Sequence, residues 1–335
     1  MSAILDRFGV KPDSLEQQFG AVSSGRTLIM DGDGACYAAT FDAKKIETAV
    51  RRFQTAIYEK MYLTKCDVAR VHITPSGCLK NNRELYLSVK PYQGNRVNKE
   101  KPVLLEFLRN IAHDQFLEHE NITVLPQRVI EADDAMMQDA YSIQNTIGYS
   151  EDKDLTIMPI PLYNIKTGQI MHLPPGTRYG WIKLDYSTST TKVVGHGTKF
   201  FWAQMLMGDG ADNIKGLEKL NGKLCGAVGT HAYLDAAGTE DDAANLVLDG
   251  YRAHGQNFLP EAECLWLTRM DGDTAAGYIA SLNLSAQNRE FLIQCFNQKY
   301  KMTEDEHKAW DEIMNKCKSV KEVQMKWLHF KKEVA

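Results

Sequence analysis

Eight acidic side chains in four short clusters are where this sequence offers chemistry. They are Asp31; Glu131, Asp133 and Asp134 in the run EADD; Asp152 and Asp154 in DKD; and Asp209 and Asp212 in GDGAD. Each cluster alone is ordinary: acids at a helix start suit the helix dipole, so EADD by itself reads as a cap, and DKD by itself reads as a turn. Their placement is less ordinary, because three of the four follow predicted strands, and α/β sheets bind ligands outside the carboxyl ends of their strands. Glu131 and Asp134, three apart, share one side of a helix, and the same spacing joins Asp209 and Asp212. Asp152 and Asp154, two apart, point the same way on an extended chain. So many carboxylates at one sheet edge repel one another unless cations bind there. The donors are all oxygen, with no His or Cys ligand pattern, which selects Mg²⁺ or Mn²⁺ over zinc. Two such ions about 4 Å apart suit in-line attack of water on a phosphodiester.

The elements that must position these acids can be read from apolar patterning. Residues 26–30 (RTLIM) form a short apolar run ending at Asp31, as a buried parallel strand does when its C-terminal end carries polar chemistry. Further strands are expected at 68–73 (VARVHI), at 122–125 (ITVL) and near 146–150. Ile46, Val50, Phe53, Ile57 and Met61 share one helical face. Further helices are expected over 34–40, where Asp33 reads as the cap, over 103–117 and from 131 to 141. Strand–helix alternation predicts an α/β fold with a doubly wound, mainly parallel central sheet flanked by helices. Residues 160–195 read as a less regular, β-rich insertion, and the chain from 198 onward as largely helical. A charged tail, 298–335, carries Trp310, Trp327 and Phe330 to dock it. The boundaries expected are a catalytic core over 1–197 and a helical region over 198–335.

The chain has 335 residues, is 44% hydrophobic and carries a formal net charge of −4. It is long enough for one large domain or a core with a satellite. Seven cysteines with no C-x-x-C spacing exclude a zinc ribbon and read as reduced thiols. Without an apolar leader or a membrane-length apolar run, the reading is a soluble, cytoplasmic protein with no membrane partner. Between 75 and 103 lies a polar segment with little apolar periodicity but several bases: Lys80, Arg83, Lys90, Arg96, Lys99 and Lys101. Beside the acids, these bases read as contacts to a phosphate backbone. Tyr92 reads equally as a packing anchor or a base-stacking platform. His72 reads as a satisfied core residue and His196 as a turn residue.

The motifs LIMDGD (28–33), PYQGNR (91–96), EADD, DKDL (152–155) and GDGADNIKGL (208–217) occur in an order that resembles the flap endonuclease and 5′-to-3′ exonuclease family, in particular its bacteriophage members. The resemblance implies a metal-dependent nuclease acting on DNA with 5′ ends or flaps and on RNA–DNA primer junctions, in the host cytoplasm beside replication proteins. It implies two ions. Asp31, Glu131, Asp133 and Asp134 would serve the first, and Asp152, Asp154, Asp209 and Asp212 the second. It makes 75–105 an arch over the active site, with Arg83, Tyr92, Gln93, Lys99 and Lys101 touching DNA. It also implies a helix–turn–helix element near 208–230, binding duplex backbone through Lys215, Lys219 and Lys223 and holding a K⁺ ion.

Two departures stand out. The family's carboxylate after the second strand is replaced within VHITPSG, where Thr74 or Ser76 stands. The family's Lys after the gateway Tyr is Gln93, which leaves Lys90 or Arg96 to position the scissile phosphate. The alternative reading is therefore a catalytically weakened, structure-specific DNA-binding protein of the same fold.

Overall fold

The computed structural model describes residues 25–86, 88–96, 99–297, 304–316 and 326. Its centre is a six-stranded sheet in the order β3-β2-β1-β4-β5-β6. The strands are β1 (Thr27–Asp31), β2 (Val68–Ile73), β3 (Ile122–Pro126), β4 (Thr146–Tyr149), β5 (Leu162–Asn164) and β6 (Gln169–Met171). All neighbouring pairs are parallel except β5 with β6. The expected α/β class and mainly parallel sheet are therefore present. The apolar run of β1 has a direct cause: Leu28 and Met30 pack on one side of the sheet and Ile29 on the other, and all three are buried. A strand covered on both faces cannot alternate polar and apolar residues.

One face carries α1 (Gly32–Thr40), α2 (Ile46–Thr64) and α3 (Leu105–Ile111). Phe53 and Ile57 of α2 are fully buried there. The other face carries α4 (Ala132–Ser142) and the C-terminal helices, which begin with α5 (Thr198–Met207). Trp202, Met205 and Leu206 of α5 are buried as core. Gly32 lets α1 start directly on the sheet, because a Cβ there would lie 2.6 Å from the His72 carbonyl oxygen.

The β-rich segment 160–195 divides. β5 and β6 extend the main sheet, whereas β7 (Trp181–Asp185) and β8 (Lys192–His196) form a separate antiparallel hairpin. His196 proves to be a buried strand end, 3.1 Å from the Met158 carbonyl oxygen, not a turn residue. Beyond α5 lie α6 (Ala227–Asp235), α7 (Glu240–His254), α8 (Leu259–Leu265), α9 (Ala275–Ala280), α10 (Ala286–Asn297) and α11 (Glu304–Lys316). Of the residues expected to dock the tail, Trp327 and Phe330 lie outside the described residues, and Trp310 falls on α11. Among the described residues no helix is long and apolar enough to cross a membrane.

The link between α5 and α6 differs from expectation. Residues 213–226 are not helical. They contain a two-residue β-hairpin, with Leu220 and Lys223 exchanging backbone hydrogen bonds (2.8 and 3.0 Å) across Asn221-Gly222. Both central residues have positive φ (50° and 78°), the twist-matched turn that Asn-Gly favours.

Candidate active site

Strand order reverses between β1 and β4, since β2 and β3 lie to one side of β1 and β4 to β6 to the other. The crevice at such a switch point is where open α/β sheets bind ligands, and Asp31 ends β1 there. Its carboxylate caps α1, accepting the Asp33 N–H (2.8 Å) and Gly34 N–H (3.2 Å), and takes the Ser150 hydroxyl from beyond β4 (2.9 Å). Asp33 is therefore not the helix cap. Its carboxylate reaches the end of β2, accepting the Thr74 N–H on both oxygens (3.1 Å each) and pairing with Arg109 of α3 (2.9 Å). The Thr74 hydroxyl accepts the Ala132 N–H at the start of α4 (2.9 Å). The corner from which the sequence lacks a carboxylate on β2 is thus entered by one from α1.

Asp133, in the first turn of α4, has its pKa pushed far up by burial and then by the charges of Asp31, Asp152, Glu131 and Asp33. Asp152 caps a short 3-10 turn (Lys153–Ile157), accepting the Asp154 N–H (3.0 Å). DKD is therefore not extended. Burial raises the Asp152 carboxyl first, and both Asp31 and Asp209 raise it further. Asp152 thus feels the charge of acids from two groups.

The second group is Asp154, Asp209 and Asp212, which present oxygens all within 4.8 Å of one another. Asp209 and Asp212 do not share a helix face. Their loop is closed by mutual backbone hydrogen bonds of Asp209 and Ile214 (2.8 and 2.7 Å), and the Asp209 side chain accepts the Ala211 N–H (2.8 Å). Lys153, a residue that sequence reasoning passed over as a spacer, places its ammonium 2.7 Å from both Asp154 and Asp209. Burial raises Asp209 most strongly, but the Lys153 charge and the hydrogen bonds from Asp154, Lys153 and the Ala211 N–H together outweigh it, and its carboxyl ends below the ordinary range. Asp154 stays well above that range, through burial and then Asp152. All seven of these site acids offer only oxygen, and the tight grouping of three fits a hard divalent cation.

Asp134 stands apart from both groups. It is fully buried and paired bidentately with Arg83 (2.6 and 2.8 Å); it also accepts the Thr268 N–H (2.9 Å) and the Glu131 N–H (3.2 Å). The last bond is the return half of a capping box, and together these bonds occupy both oxygens. Arg83, expected to touch DNA, is 1% exposed, so its guanidinium cannot reach a phosphate. Tyr92 is a packing anchor rather than a stacking platform: its ring is buried, and its hydroxyl donates to Glu131 (2.7 Å) and lies 3.3 Å from Asp212. Gln93 joins the same two acids through its amide (3.3 and 3.2 Å). Arg96 pairs with Asp212. Lys90, Lys99 and Lys101 are exposed and bonded to none of the acids, although Lys101 lies 3.7 Å from Glu106. Lys219 and Lys223 are exposed on the Asn-Gly hairpin, and Lys215 is half-buried.

The sign of the charge crowding can be measured. Burial first, then neighbouring acids, raise Asp31, Asp133, Asp152, Asp154 and Asp212 above the ordinary carboxylate range. In that window the folded, metal-free protein binds more protons than the unfolded chain, so stability falls as pH rises. Burial would also raise Asp139 and Asp273, but their hydrogen-bonded partners hold them low, and they lose stability only on deeper acidification. In chelator the thermal midpoint should therefore be higher near pH ~5.5 than near pH ~7.5. Mg²⁺ should remove the difference. An equal or higher midpoint at the upper pH in chelator would contradict this account.

No family model and no curated protein sequence matches the chain. Solved structures do match. A bacteriophage T5 protein co-crystallised with metal ions superposes with a TM-score of 0.50 over 82% of this chain and 99% of that one, at 14% identity. A variant of the T5 flap endonuclease, in a pseudo-enzyme–product complex with DNA and metal ions, gives 0.47 at 16% identity over 82% and 99%. The T5 5′-exonuclease with bound zinc gives 0.46 at 15% identity over 91% and 99%. The chain shares its α/β fold with the first of these T5 proteins, and at this identity the likeness speaks for the fold alone.

Proposed function

We propose that the protein is a divalent-metal-dependent nuclease that hydrolyses phosphodiesters at the 5′ ends of DNA, with flaps and RNA–DNA primer junctions among its substrates. The observation that supports this reading best is the oxygen-only cluster of Asp154, Asp209 and Asp212, whose candidate ligand oxygens all lie within 4.8 Å of one another. Asp31, Glu131, Asp133 and Asp152 would hold one Mg²⁺ or Mn²⁺ ion, and Asp154, Asp209 and Asp212 a second. Bound there, the ions supply a water of lowered pKa and a Lewis acid for the leaving oxygen.

The chain's own residues orient the ligands and receive the substrate. The Ser150 hydroxyl and the first amides of α1 fix Asp31, while Tyr92 and Gln93 hold Glu131 and Asp212 together. Asp134 serves this reading as the anchor of α4 and not as a ligand. The exposed Lys90, Lys99 and Lys101 would receive a single strand, and Arg96, paired with Asp212, would meet the scissile phosphate. The hairpin lysines Lys219 and Lys223 suit duplex backbone. Reversing both charges (Lys219→Glu with Lys223→Glu) should weaken duplex binding and lower the salt slope of log K by about 1 for each phosphate no longer neutralised. An unchanged slope in a salt titration would move the duplex site elsewhere.

The test is cleavage of a 5′-flap duplex, labelled at either end, with Mg²⁺, with Mn²⁺ and with chelator. Metal-dependent release of short 5′ products is the expected outcome. Tight flap binding with no cutting under either metal would replace the enzyme by a structure-specific DNA-binding protein, the reading favoured by Thr74 and Gln93.

A further inference from the structure

We propose that Lys153 is a built-in counter-ion for Asp154 and Asp209, and that a divalent cation occupies that half of the site only by expelling its ammonium. The inference rests on the metal reading given above and adds an order of events to it. The geometry is specific. Nζ lies 2.7 Å from Asp154 Oδ1 and 2.7 Å from Asp209 Oδ2. The Asp209 side chain is 1% exposed and that of Asp154 15%, whereas the Lys153 side chain is 45% exposed. The acids are fixed inside and the base reaches in from the surface. Each acid also has an anchor independent of Lys153. The Gln204 amide holds Asp154 (2.6 Å) and the Ala211 N–H holds Asp209 (2.8 Å).

Two carboxylates this close and this buried cannot both stay charged without a cation. Lysine is suited to a temporary version of that role: a compact point charge on a flexible four-carbon stem, which can swing away without disturbing the backbone. An Mg²⁺ ion takes carboxylate oxygens at about 2.0–2.1 Å, so an ion bridging Asp154 and Asp209 would stand close beside an ammonium that bridges the same two acids, and the two positive charges repel. Ion and ammonium therefore compete. Among the described residues the cations of the first group pair with Asp33 and Glu131 and none pairs with Asp31 or Asp133, so the first ion enters there. The second ion has to displace Lys153, and its apparent affinity is lowered by the fraction of molecules in which the ammonium is seated.

Binding of Mn²⁺ to the DNA-free protein, followed by the electron paramagnetic resonance of free Mn²⁺, tests the competition without any catalytic readout. The wild type should show a tight and a weak class of ions. Lys153→Gln should tighten the weak class by about tenfold or more and leave the tight class unchanged, while Lys153→Arg, which keeps the charge, should not tighten it. In chelator, Lys153→Gln should melt below the wild type, and Mn²⁺ should close the gap. The wild-type protein carries a second test that needs no folded neutral variant. In ¹⁵N-lysine spectra, with the signal assigned by its loss in Lys153→Arg, Mg²⁺ should move the Lys153 ammonium from a hydrogen-bonded to a solvent-exchanging state. A weak class of unchanged affinity in Lys153→Gln, or an ammonium signal indifferent to Mg²⁺, would overturn the proposal. Failure of both wild type and variant to bind Mn²⁺ at all would overturn the metal reading itself and this inference with it.

Discussion

Asp152→Asn is expected to cut phosphodiester hydrolysis by at least about 100-fold while leaving the fold intact, because even outer partners of metal ligands are typically worth 10–100-fold. Asp152 is singled out because it senses both groups of acids, with Asp31 on one side and Asp209 on the other. A neutral amide there weakens the hold on both ions at once. The local structure should survive, because the carboxylate also caps the 3-10 turn through the Asp154 N–H, and asparagine is an equally good cap. The same substitution removes one charge from a crowded, buried cluster. In chelator the variant should therefore melt above the wild type, trading activity for stability. Single-turnover cleavage and a thermal melt on one preparation check both signs. Activity within tenfold of wild type would remove Asp152 from the metal-binding set.

The largest expected effect on stability lies at the buried Arg83–Asp134 pair. Arg83→Met should destabilise the protein by about 3–5 kcal/mol, the usual cost of stripping one partner from a buried ion pair. Asp134 would be left charged with no water to reach it. Its remaining donors, the Thr268 N–H and hydroxyl (2.9 and 3.2 Å) and the Glu131 N–H (3.2 Å), are dipoles that cannot replace a guanidinium. The damage would spread, because Arg83 also donates to Glu131 (3.0 Å) and to the Trp266 carbonyl (2.6 Å). The pair Arg83→Met with Asp134→Leu should recover much of that stability, since replacing both charges by apolar groups is often neutral. Urea unfolding of the two single variants and the double variant completes the cycle. A destabilisation below about 1 kcal/mol in Arg83→Met would mean that water penetrates the pair.

The framework was legible because its physics is local. A strand buried on both faces reads as an apolar run, so 26–30 announced β1; the alternation of Ala69, Val71 and Ile73 with Arg70 and His72 announced β2, and Phe53 and Ile57 announced the buried face of α2. The short polar segments were not legible in the same way. DKD and GDGAD carry no apolar period, and their conformations follow from acids accepting backbone N–H groups two residues on, as Asp152 does from Asp154 and Asp209 from Ala211. Spacing rules for helices and strands do not apply to such turns. Asn221-Gly222 carried a hairpin signal of its own, which the expectation of a helical element overrode. The burial of Arg83 had no local signature, because its partners lie 51 and 183 residues along the chain. A base in a polar segment looks like any solvated base until those partners are known. Lys153 had only its position between two aspartates to mark it.

The 183-residue reach from Arg83 to the Trp266 carbonyl also sets a clock during biosynthesis. At roughly 5–20 residues per second, a ribosome takes about 10–40 s to travel from one partner to the other. Thr268, which donates to Asp134 from 134 residues downstream, emerges at about the same time. Until then the nascent chain carries most of its acids without the cage that seats α4 beneath them. The acidic site can reach its final form only when the greater part of the polypeptide has been made, so the interval between the first acid and a finished site is written into the order of translation.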